Sequence, residues 1–185
     1  MMETGTTGQD KLRVWIHDHS AVVRVQGRGS FKLGAALREF GGSSIEAGAT
    51  RVVLDMEDCV GMDSTFMGVV AGLALRIKSV PGGRVIFVNL SERTRHLLCT
   101  LGLNRFVDLH MAGSLPEDLQ PALHQPHPLQ EAMSASVNAP ESRTLLEAHE
   151  ALVKLDPQNL DKFRDVLDFL RRDVEKGKDR SGPNP

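Results

Sequence analysis

The chain has 185 residues, a mass of 20.2 kDa and a formal net charge of −2. With 41% hydrophobic and 25% charged residues it has the balance of one globular domain, or one domain with an appendage. Near-neutrality and 4% aromatics, with no Tyr, exclude a strongly basic nucleic-acid binder or base-stacking platform, so no direct nucleic-acid binding is expected.

Residues 1–11 are polar and rich in Gly and Thr, without the apolar stretch of a signal peptide, and are expected to be disordered. Residues 13–17 alternate around Val14 and Ile16, and residues 21–25 form a second β-branched run. His17-Asp18-His19-Ser20 between them reads as a hairpin connection. Gly27-Arg28-Gly29-Ser30 reads as a loop. Residues 33–47 predict a helix with Leu33, Ala36, Leu37 and Phe40 inward, weakened in its second half by Gly41-Gly42. Residues 51–56 are a short apolar run of buried-strand type.

Asp63 is a good N-cap for the next helix, because its carboxylate can accept from an orphan backbone N–H. From Phe66 that helix is apolar nearly all round, so it is expected to be buried on more than one side. Gly68 and Gly72 suggest close approach of this helix to the sheet. Pro81-Gly82-Gly83 ends it. Residues 84–89 predict another strand. A helix follows from Ser91, carries Leu97, Leu98 and Leu101, and stops at Gly102; residues 106–109 predict a last strand. Alternating strands and helices with short connections predict an α/β fold, with a mixed four- to five-stranded sheet, over residues 12–112.

Residues 113–140 hold Pro116, Pro121, Pro126, Pro128 and Pro140, and read as a helical turn followed by a Pro-rich linker. His124 and His127 are read there as solvated linker residues rather than metal ligands. Residues 141–176 predict an α-helical hairpin, antiparallel because its connection is short. Its first helix has Leu145, Leu146, His149, Leu152 and Val153 on one face; its second has Leu160, Phe163, Val166, Leu167, Leu170 and Val174. Residues 177–185 read as a disordered tail. Truncation after Ala139 is expected to leave a folded module.

Two cysteines, Cys59 and Cys99, are too few for a disulfide framework or a four-ligand zinc site. The most apolar run, residues 66–75, is too short to span a bilayer. A cytoplasmic protein with reduced thiols and no membrane insertion is therefore expected. No dinucleotide-binding, Walker-type or nucleophile-elbow motif occurs. Asp55, Glu57, Asp58 and Asp63 read as loop and cap carboxylates. No catalytic residue, metal or cofactor is assigned and no enzymatic activity is expected. The competing reading is a small enzyme with a pocket joining Cys59, His96 and the acidic stretch.

The informative segment is Val52-Val53-Leu54-Asp55-Met56, a short loop, and then Met62-Asp63-Ser64-Thr65-Phe66-Met67-Gly68. It resembles the STAS family of anti-sigma factor antagonists, where an Asp-Ser-Ser-Gly-Leu-Gly helix start follows a buried strand. Gly82-Gly83-Arg84-Val85-Ile86-Phe87-Val88, the helix ending at Leu101-Gly102-Leu103, and Val25-Gln26-Gly27 match the family's order. The resemblance implies that Ser64, supported by Asp63 and Thr65, is phosphorylated by a partner that is both anti-sigma factor and serine kinase. A serine phosphatase would reverse the step. The unphosphorylated form would bind the anti-sigma factor and free the sigma factor. Two departures are visible. Phe66 stands where the family has Gly, either narrowing kinase access or packing inward. Arg28-Gly29-Ser30-Phe31-Lys32 stands where the family's loop usually carries an Asp. Arg28, Ser30, Lys32, Phe66 and Met67 are the expected partner-binding residues, with Arg28 or Lys32 pairing with phosphoserine or an acidic partner. The alternative within the family is a non-phosphorylated STAS adaptor subunit of a signalling or transporter assembly.

Overall fold

The computed structural model describes residues 10–124, 132–134 and 141–179. The expected N-terminal and C-terminal disorder falls mostly outside them, as do most of the linker and His127.

Strands β1 (Lys11–His17) and β2 (Ser20–Gly29) form the hairpin, turning through Asp18 at φ 50°. Helix α1 (Phe31–Glu46) leads to β3 (Arg51–Asp55), β4 (Cys59–Met62) and α2 (Ser64–Ile77). Then come β5 (Arg84–Leu90), α3 (Glu92–Thr100) and β6 (Asp108–Met111). The sheet order is β6-β5-β3-β2-β1, extended by the three-residue β7 (Ala132–Ser134) on β1. β2, β3, β5 and β6 run parallel, whereas β1 is antiparallel to β2 and to β7. This is the mixed α/β sheet expected, with two further strands, β4 and β7.

β4 corrects the reading of 27–30 as a loop. β2 continues to Gly29, slips register between Gly27 and Arg28, and pairs in parallel with β4. Gly27 sits at φ 78°, in the left-handed region that glycine enters freely. The Gly41-Gly42 pair does not shorten α1. It lets α2 come close, since a Cβ on Gly41 would lie 2.7 Å from Leu73 Cδ1.

The central strands are apolar without alternation because both sheet faces are covered. Ala21, Val23, Val52, Leu54, Val85 and Phe87 point into the main core under α1 and α2. Val22, Val53, Ile86 and Val88 point to the opposite face, closed by Leu119, Ala122 and Leu123. Those three sit on a 3₁₀ turn (Glu117–Leu119) and helix α4 (Gln120–His124). Trp15 Nε1 donates to Ala122 O at 2.8 Å and ties this cover to β1.

The hairpin is α5 (Ser142–Leu155) and α6 (Asn159–Asp179). α5 lies on α2, so α2 is sandwiched between the sheet and a second helix. Ala148, Leu152 and Leu155 belong to the main core. The glycine reading is corrected here as well: Gly68 faces α5 rather than the sheet, and a Cβ there would meet Ala148 O at 2.3 Å. The far end of the hairpin is anchored by Asn159, fully buried, whose Nδ2 donates to Leu101 O and Leu152 O, and by the Arg105–Asp156 ion pair.

Candidate functional site

The candidate site lies where α1 and α2 begin. Asp63 is the N-cap of α2, and its Oδ1 accepts from Phe66 N at 2.9 Å. Its other oxygen, Oδ2, accepts from Phe31 N at 2.7 Å, at the start of α1. One carboxylate therefore satisfies an orphan N–H of each helix and lies at the positive end of both dipoles. Asp63 N donates to Gly29 O at 3.0 Å, so the end of β2 runs beside the residue preceding Ser64. The cap on α2 was legible from sequence. The second one, across 32 residues, was not.

Ser64 is the first residue of α2 and half-buried. Its Oγ lies 3.2 Å from His149 Nε2 on α5. Thr65 is buried beneath it at 6% exposure. Arg28 and Lys32 are exposed on either side of the α1 start. The remaining expected contact residues turn inward. Phe66 is fully buried and Met67 nearly so, because the sheet claims that face of α2. Neither side chain is available to a partner, which corrects their assignment as contact residues. The Phe66 ring lies against Gly29, where a Cβ would be 3.0 Å from ring carbons, so the aromatic packs into the space that a glycine on β2 leaves. Ser30 is buried too. It is the N-cap residue of α1 without a side-chain cap bond, and its Oγ has no partner among the described residues. Asp63 caps α1 in its place. Two exposed apolar residues were not anticipated: Phe31, whose backbone N–H is bonded to Asp63, and Val60 on β4, at 38% and 65% exposure.

The acidic stretch disperses. Asp55, fully buried, accepts from Arg24 Nε at 2.7 Å and Asn89 Nδ2 at 2.8 Å. Asp58 accepts from Gln26 at 3.1 Å. Cys59 is buried with its Sγ 3.3 Å from Gly61 O, and burial pushes its thiol pKa up. His96 is exposed on α3. Among the described residues no cluster of three or more metal-ligating side chains occurs, and no helix is long and apolar enough to cross a membrane.

A mostly parallel sheet covered on both faces, with a capped serine opening the second helix, defines a class of small α/β domain. The chain belongs to the STAS domain family, whose model matches residues 11–117. The match ends before the hairpin. A search against curated proteins gave no match. Among solved structures, an anti-sigma factor antagonist from Mycobacterium paratuberculosis is similar at TM-score 0.51 and 19% identity, over 63% of this chain and 96% of that one. A candidate anti-sigma factor antagonist from Thermotoga maritima is similar at TM-score 0.51 and 16% identity, over 62% of this chain and 95% of that one. At such identities the likeness is one of fold.

Proposed function

We propose that the chain is a regulatory binding protein of the anti-sigma factor antagonist type, switched by phosphorylation of Ser64. It acts in the cytoplasm by binding rather than by catalysis. Its partners are an anti-sigma factor with serine kinase activity and a serine phosphatase. The observation that carries this reading is the position of Ser64. It opens a 14-residue helix directly after a carboxylate that ties two helix starts together.

The physics of that position suits a switch. The first-turn N–H groups of α2 and its dipole favour a nearby anion by about 0.3–1 kcal/mol, so a phosphate should leave the fold intact. The added group brings about −1.5 to −2 charges and three acceptor oxygens to a nearly neutral protein. A partner surface shaped for a hydroxyl then meets charge that it must desolvate. Arg28 and Lys32 are the cations nearest in the chain to the α1 start. We assign them to the phosphate or to an acidic partner. Moving a complex from nearly all bound to nearly all free takes about 5.5 kcal/mol, which one interfacial phosphate supplies in large part.

Incubation with an anti-sigma-type kinase and labelled ATP tests the reading. Ser64→Ala is expected to abolish incorporation, and Ser64→Glu to weaken anti-sigma binding at least about tenfold, or 1.4 kcal/mol. Unchanged stoichiometry in Ser64→Ala, or wild-type binding by Ser64→Glu, refutes it.

A further inference from the structure

The hairpin lies outside the family match, yet it holds the hydroxyl on which the proposed switch depends. His149 Nδ1 lies 2.8 Å from Leu145 O. A carbonyl can only accept, so Nδ1 carries the proton in the neutral ring and Nε2 presents a lone pair. The 3.2 Å contact is then a hydrogen bond donated by the Ser64 hydroxyl to His149. The ring is 4% exposed and stands edge-on to Phe163 of α6, with centroids 4.9 Å apart. It is thus gripped by both helices of the hairpin. One turn along α2, Gly68 lets the α5 backbone into contact, and Gly72 has Ala151 Cβ as its nearest neighbour. Arg38 of α1 ties to Glu147 on the same stretch of α5.

We propose that α5 is an internal cover over the start of α2, latched by His149 onto Ser64, and that a kinase or partner reaches this serine only by displacing it. The biological meaning rests on Ser64 being the acceptor, although the cover itself does not. The coupling runs both ways. Phosphorylation replaces the proton of the Ser64 hydroxyl, so the hydrogen bond that this hydroxyl donates to the neutral His149 ring is lost. Phosphorylation would therefore release the latch and loosen the cover without unfolding the module.

The test uses the full chain with Cys99→Ser, which removes the half-exposed thiol, and Ser64→Cys, which places a thiol at the latch. N-ethylmaleimide is the probe. Gly68→Ala is the wedge: it improves helix propensity but drives a methyl into the α5 backbone. Buried Cys59 reports whether the core stays closed. We expect the wedge to raise labelling at position 64 about tenfold or more, equivalent to 1.4 kcal/mol on the closing equilibrium, with Cys59 silent. His149→Ala, which leaves the helix crossing intact, should give a smaller rise and serves if the wedge impairs folding. The cover is overturned if neither variant raises labelling at 64 while Cys59 stays silent. No kinase is needed for this result. If labelling rises but Ser64→Ala still takes phosphate, the acceptor reading falls and the cover stands. If labelling is unchanged but Ser64→Ala loses phosphate, the reverse holds.

Discussion

Helices α2 and α6 are both rich in apolar residues but spend them differently. α2 buries Thr65 through Ala71, Leu73, Ala74 and Ile77, because the sheet lies on one side and α5 on the other. α6 buries Leu167 and Leu170, half-buries Phe163, and leaves Leu160, Val166 and Phe169 at 42%, 41% and 66% exposure. A helix that is apolar all round announces two neighbours, whereas an amphipathic one announces a single neighbour. The second neighbour of α2 is what makes the C-terminal hairpin part of the core and part of the site.

The strongest way to break this contrast is to delete the hairpin. The sequence suggested a module that folds without it, but Ala148, Leu152 and Leu155 lie in the main core. Removing three such side chains forfeits about 4–7 kcal/mol, a large part of the stability of a small domain. Truncation after Ala139 should therefore shift the midpoint of urea unfolding far down. Next, Leu152→Ala, at a fully buried position on α5, should cost about 2–5 kcal/mol. Phe169→Ala on the outer face of α6 should stay within about 0.5 kcal/mol. Equal losses by denaturant titration would erase the distinction between the two helices. Asp63→Ala removes a cap from α2 and another from α1, and should cost about 2 kcal/mol, beyond the typical single-cap value of about 1. Asp63→Asn should cost less, since its amide keeps one acceptor.

Most of the module was readable because its strands are short apolar runs between turn residues and its helices carry caps. β4 was missed because Cys59-Val60-Gly61-Met62 has a glycine and no clear alternation, and its partner is an extension of β2 some 30 residues away. The cover on the second sheet face was missed because α4 is only five residues long and sits among prolines. The inward turn of Phe66 and Met67 follows from the apolar character of α2, and inward packing was one of the two readings open for Phe66. The Ser64–His149 contact spans 85 residues. Its one trace in the sequence is a polar ring, His149, on the otherwise apolar stripe of α5.

The doubly capping carboxylate has a consequence for reading other chains. Loss of Asp63 is penalised at the start of two helices, whatever happens at the neighbouring serine. A copy of this fold with no switch at that serine would still be held to an aspartate there. Asp before Ser therefore records the architecture of the helix starts, and the acceptor must be argued from the hydroxyl and from what covers it.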